Sequence, residues 1–222
     1  MGGAYCLGCP EWFEHDGAGN TWLCPDCDGE MSRCFEPRLR SLGRAGALVY
    51  SLFDYRGMVR RLIHLAKIRG WTMSMECLAW YAGSHPWTKE LCRRADVLMP
   101  APSSFWGRLR GRQDFAAFLV RRFAGGVHVV HRAPARPFYA GWTKRALQEN
   151  KADFLPGDVG QWNPVDPARN LRGLRHRRIL VVDDIVTSGF TMASVSAGLP
   201  PGAHGYLALA AAGDFRGFRG PS

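Results

Sequence analysis

The chain lacks several things, and each absence narrows its class. No apolar run in its 222 residues approaches the ~20 residues that a bilayer-spanning helix needs, so membrane insertion is not expected. The first residues, Met1-Gly-Gly-Ala-Tyr-Cys6, carry neither the basic start nor the apolar core of a secretory signal, and the expected location is cytoplasmic. No internal repeat or low-complexity tract stands out. Acidic residues are scarce beside basic ones: 19 Asp and Glu against 29 Lys and Arg, a formal charge of +10. That excess either coats a solvated, Arg-rich surface or serves a polyanion, nucleotide phosphates or nucleic acid. Charge alone leaves both open.

What is present points to a globular protein. With 46% hydrophobic and 12% aromatic residues the chain is not disordered. Its length allows one good core plus a small accessory module.

Five of the seven cysteines fall early: Cys6, Cys9, Cys24, Cys27 and Cys34. Cys6-x-x-Cys9 and Cys24-x-x-Cys27 form two knuckles separated by fourteen residues, 10 to 23. Each knuckle offers two thiolates, and four thiolates fill the tetrahedral shell of a structural zinc ion with no position left for catalysis. Two disulfides are the alternative, one that a reducing compartment disfavours. Cys34 and His15 stand as substitute ligands. Trp12, Phe13 and Trp22 are expected to pack around the metal, since so short a module has little other core.

The richest stretch is Ile179 to Thr191, ILVVDDIVTSGFT. A β-branched apolar run reads as a buried parallel strand, and the run from Met192 to Gly198 reads as a helix. Between them lie Asp183, Asp184 and a turn of small and hydroxyl residues: Thr187, Ser188, Gly189 and, past Phe190, Thr191. Free N–H groups and the positive helix end meet at such a turn, which suits a phosphate. Two carboxylates at the carboxyl end of a strand suit ribose hydroxyls or hydrated magnesium. The plainer alternative is that the acids end a strand and cap a helix.

The rest of the chain supplies the frame. Phe35 to Arg44 reads as a basic, irregular linker, and Ala45 to Tyr55 as a strand. Helices are expected over Gly57 to Lys67, Thr72 to Ala82 and Thr88 to Ala95. Asp96 to Met99 reads as a short strand ending in the stiff turn Pro100-Ala-Pro102-Ser103-Ser104, where backbone N–H groups could meet a second phosphate. Arg108, Arg110 and Arg112 follow, with Gly111 between the last two, as in a mobile lid over a polyphosphate or a merely solvated loop. Asp114 reads as the N-cap of a helix over Phe115 to Phe123. Strands are expected over Gly126 to His131 and His204 to Ala212. Strands alternating with helices argue for a doubly wound α/β sheet.

Asp183-Asp184 followed by Thr187-Ser188-Gly189-Phe190-Thr191 resembles the phosphoribosyl pyrophosphate (PRPP) motif of type I phosphoribosyltransferases, although Phe190 stands where that family has a small residue. The four-cysteine module joined to such a domain is similar to the ComF family of competence proteins. Lys67-Ile-Arg-Gly70 resembles that family's Lys-x-x-Gly, Pro100-Ala-Pro102 its Pro-Val-Pro turn, and Arg110-Gly111 part of its Arg-Gly-Phe-Asn-Gln segment. The sequence departs from it at Arg112-Gln113-Asp114, and Thr143 to Phe154 matches only through Gln148 and Asn150.

The resemblance implies an α/β fold with a phosphoribosyltransferase-like parallel sheet flanked by helices and an N-terminal zinc-ribbon-like module. The implied divisions are 1–35 for that module, 36–95 for a linker strand and helical segment, and 96–222 for the phosphoribosyltransferase-like domain. It implies PRPP binding through Asp183, Asp184, Thr187, Ser188, Gly189, Thr191, Pro102, Ser103, Lys67, Arg110 and Arg112, with magnesium, and with Asp183 and Asp184 as the catalytic pair. Asp184 is the family-like candidate for a base, the acceptor is unknown, and no N-terminal Cys nucleophile for glutamine hydrolysis is expected, Cys6 being better explained as a zinc ligand. It also implies a link to DNA uptake in natural transformation, with a competence ATPase as partner. Two functions follow: a phosphoribosyltransferase of the glycosyltransferase class, or a non-catalytic protein that keeps the fold and binds single-stranded DNA or a partner.

Overall fold

A computed structural model of the protein describes residues 2–15, 22–42, 47–101, 114–124, 129–130, 177–187, 191, 192, 195, 199 and 204–212. Among them no helix is long and apolar enough to cross a membrane.

The apolar run at 179 forms the strand around which the sheet is built. Strand β7 (Ile179–Val186) lies between β5 (Val97–Pro100) and β8 (His204–Ala211), parallel to both. Strand β8 pairs in parallel with β4 (Ala47–Asp54), and β5 with the two-residue β6 (Val129–Val130). An antiparallel strand, β3 (Phe35–Leu42), closes the far side, so the order is β3-β4-β8-β7-β5-β6. The architecture is therefore α/β with a mixed sheet flanked by helices: the expected parallel sheet carries one antiparallel edge strand, β3.

Strand β3 occupies most of the stretch expected to be a linker. Its composition misleads because it is an edge. Pro37, which has no N–H to donate, sits within the register shift between Phe35 and Arg38, and Arg38 is exposed. Arg40 reaches back across the pair, from Nε to Ser51 Oγ at 3.0 Å and from a terminal nitrogen to Asp54 Oδ1 at 3.1 Å.

Alternation along the central strands builds two cores. Leu98, Leu180, Val182 and Leu207 face one side; Val97, Met99, Ile179, Val181, Tyr206 and Ala208 face the other, with Met192 and Val195. The first core is covered by helices α1 (Pro25–Cys34), α2 (Gly57–His64), α3 (Thr72–Ser84) and α5 (Phe115–Phe123), with α4 (Pro86–Arg94) beside them. Asp114 caps α5 as its position predicts, Oδ1 accepting from the Ala117 N–H at 3.0 Å. The helix expected over Gly57 to Lys67 is α-helical only to His64. From Leu65 to Arg69 it widens into a π turn, which Gly70 closes at φ +68°. Only glycine adopts that left-handed conformation without steric cost.

The cysteine module contains a two-stranded hairpin, β1 (Gly2–Tyr5) with β2 (Trp12–His15), followed by α1. Its cysteines are continuous with the first core. Phe13 and Trp22 pack against that core, and Trp22 meets Trp80 edge-on at 5.7 Å. Trp12 does not: it is 56% exposed, because among the described residues its strand pairs only with β1.

Candidate functional site

Two constellations carry chemistry. In the first, Cys6, Cys9, Cys24 and Cys27 bring their sulfurs within 4.8 Å of one another. A tetrahedral zinc ion with bonds of about 2.3 Å needs sulfurs about 3.8 Å apart, and Cys9 and Cys24 lie at 3.6 Å. All four are free cysteines, with the Cys9 and Cys24 sulfurs at non-bonding distance. Local structure sets this up. Cys24 is the N-cap of α1 and Cys27 sits in its first turn, at the positive end of the helix dipole. Cys6 Sγ accepts from the Gly8 N–H at 3.2 Å and from the Cys24 N–H at 3.3 Å. Burial opposes ionisation of Cys6, but backbone N–H groups of Cys24, Gly8 and Cys9 bring its thiol down to about 7. Burial and its three sulfur neighbours push Cys27 up. The four-cysteine donor set at this spacing suits a metal such as zinc. Cys34 is not part of it: its buried thiol donates to the Arg56 carbonyl at 3.7 Å. His15 lies on β2, and its side chain lies outside the described residues.

The second constellation lies at the carboxyl edge of the sheet. Strand β7 carries its acids near its carboxyl end and runs on through them, with Asp183 opposite Ala208 and Val186 opposite Ala211 of β8. Strand β5 stops at Pro100, opposite Val182. The two carboxylates thus begin where β7 loses its β5 neighbour. The chain leaves β5 toward β6 on one side and leaves β7 toward β8 on the other. Such a switch point opens the crevice in which α/β sheets bind ligands.

Into this edge comes Lys67, from the π turn. Its Nζ lies 2.8 Å from Asp184 Oδ2. Burial lowers the Lys67 pKa, but the charge and hydrogen bond of Asp184, the charge of Asp183 and Tyr55 together raise it above the ordinary lysine value. The Asp184 N–H donates to Asp183 Oδ1 at 2.8 Å, and the Ile185 N–H to Asp184 Oδ1 at 2.7 Å, which fixes both carboxylates on the backbone. A cation is held beside two half-buried acids, in an arrangement able to exchange partners when an anion or another cation arrives.

The structure brings together Asp183, Asp184 and Lys67 of the sequence-predicted residues. Thr187 is exposed at the end of β7, and Thr191 is half-buried beside buried Met192. Pro102, Ser103, Arg110, Arg112, Ser188 and Gly189 lie outside the described residues, as does all of 131–176. Sequence reasoning missed Tyr55, which follows β4 at the same sheet edge, its N–H donating to the Ala211 carbonyl at 2.9 Å. The signal was available: it is the first residue past the carboxyl end of a parallel strand. At the opposite edge Asp96 and Arg178 pair at 2.9 Å and tie the starts of β5 and β7, a structural role.

No protein-family model matches the chain, and no curated protein matches it.

Proposed function

We propose that the carboxyl edge of β5 and β7 binds PRPP, in a phosphoribosyltransferase-like fold of the ComF kind, and that the chain is a phosphoribosyltransferase-like protein whose acceptor is unknown. The observation that carries this reading is the 2.8 Å pair of Lys67 with Asp184 at the switch point of the sheet. It joins two segments that the resemblance names separately. Asp183 and Asp184 take the ribose hydroxyls, and two adjacent half-buried carboxylates that already attract a cation are a donor set suited to hydrated magnesium. Thr187 and Thr191 stand at either side of the loop that takes the 5′-phosphate. Lys67 turns from Asp184 to the pyrophosphate as its bond to the anomeric carbon breaks, and a nitrogen nucleophile closes on that carbon. Asp184, released from Lys67, accepts the nucleophile's proton. Magnesium, when bound, supplies further charge neutralisation to the pyrophosphate.

Thermal denaturation tests this. PRPP with magnesium at 100 times Kd stabilises the native state by about 2.7 kcal/mol, a rise of roughly 5–10 °C for a chain of this size. Ribose 5-phosphate or pyrophosphate alone, each satisfying half of the site, gives a smaller rise. Equal melting temperatures in all four samples refute the proposal.

A second reading, single-stranded DNA binding linked to transformation, is favoured by one surface. Exposed Arg56 and Arg60, four residues apart at the start of α2, lead along the same face to Ile68 and Trp71, 55% and 46% exposed. Cations beside an aromatic suit a stacked, anionic strand. Binding should then weaken steeply with salt; affinity unchanged by salt rejects it.

A further inference from the structure

The cysteine module and the carboxylate edge are joined by one continuous piece of chain. The first knuckle lies directly on α2. A Cβ built on Gly8 would stand 2.5 Å from Met58 Cε and 2.8 Å from both Met58 Sδ and Cys27 Sγ, so any larger residue would force these side chains to shift. Met58 is 1% exposed and belongs to the same core as Cys6, Cys24 and Cys27. One helical turn on, the Arg61 guanidinium donates to the Gly8 carbonyl. Helix α2 then passes without a break into the π turn that carries Lys67. On the other side of the module, the Tyr81 hydroxyl of α3 donates to Asp28 of α1, beside the Trp22–Trp80 contact. The π turn is an uncommon link, since five-residue hydrogen bonding is rare and often marks a functional site.

We propose that the four-cysteine module positions Lys67. It clamps the start of α2 through Met58 and the middle of α2 through Arg61, and the π turn transmits that placement to the ammonium beside Asp184. Gly8, Met58 and Arg61 are positioning residues; none touches the carboxylates. The consequence for ligand binding rests on the PRPP reading above, while the positional claim rests on these contacts alone.

The test uses the full, zinc-loaded chain and amide hydrogen exchange. Arg61→Ala removes the guanidinium but leaves all four thiolates and the buried core. The expected result is exchange about tenfold faster across 65–70, unchanged exchange in β5, retained zinc, and PRPP affinity reduced about as much. Arg61→Lys, which can still reach the Gly8 carbonyl, should restore exchange toward the wild-type rate. Unchanged exchange at 65–70 in Arg61→Ala overturns the proposal. So does an equal rise in β5 and β7, which would mark a general loss of stability. If 65–70 responds as expected while PRPP binds neither protein, the positioning stands and the PRPP reading falls.

Discussion

The Lys67–Asp184 pair is open to a quantitative test that needs no ligand. A double-mutant cycle over Lys67→Met, Asp184→Asn and the double variant isolates the interaction, because each change nearly conserves volume and removes one charge. Two unit charges 2.8 Å apart attract by about 1.5 kcal/mol in the dielectric of water and several times more in a half-buried site. Desolvation and lost side-chain freedom oppose this, and Lys67 keeps 42% of its side-chain exposure against 13% for Asp184, so solvent screening discounts the value heavily. The expected coupling is about 1 kcal/mol. Urea denaturation at pH 7 in low salt, with zinc saturating, reads it directly, and high salt should diminish it. The pH dependence has a definite sign. The folded Lys67 pKa is raised, so the coupling is full below the unfolded lysine value, about 10.4, and disappears as pH rises through the higher folded value. Single-variant effects that add within about 0.3 kcal/mol would show that the two groups are merely adjacent, and the ion pair would no longer support the site.

Other perturbations separate local causes. Gly70→Ala should cost about 1 kcal/mol and Gly70→Asn less, because φ is +68° while a Cβ there meets nothing within 4 Å; equal stability of all three in urea would contradict the backbone argument. Cys27→Ser should abolish stoichiometric zinc binding, while Cys34→Ser should leave it intact, since the Cys34 thiol faces the Arg56 carbonyl; metal analysis of the purified variants decides. Asp96 is held down to about 2 by hydrogen bonds from the Arg178 side chain and backbone. Its folded pKa is depressed, so its contribution is present above the unfolded value of about 3.9 and is lost as pH falls toward 2. Acid denaturation of Asp96→Asn should therefore be less steep in that window, and an unchanged profile would refute the pairing.

What the sequence revealed and what it hid have the same physical origin. Elements defined by their own residues were legible. The β-branched run of β7, the Asp114 cap of α5 and the paired knuckles each carry their signal within a few positions. Features defined by a distant partner were not. Strand β3 looks like a linker because an edge strand is kept polar, and only its ladder with β4 identifies it. That β7 continues two residues past Asp183 and Asp184 depends on β8 running beside them. The Lys67 segment was identified through a local pattern, but its approach to Asp184 depends on a π turn that no hydrophobic period announces. Tyr55 was passed over as the tail of a strand, although its position past a parallel strand places it at the same edge. Trp12 belongs by composition with the module's core, yet it is 56% exposed, because among the described residues its hairpin strand pairs only with β1.

The most direct test of the central claim is a calorimetric titration of the zinc-loaded protein with PRPP, with and without magnesium, beside Asp183→Asn. The account predicts saturable, magnesium-dependent binding to the wild-type chain that falls at least about tenfold in the variant, the loss expected when one charged partner of a binding group is removed. Binding that is equal in both proteins, or absent from both, would contradict it.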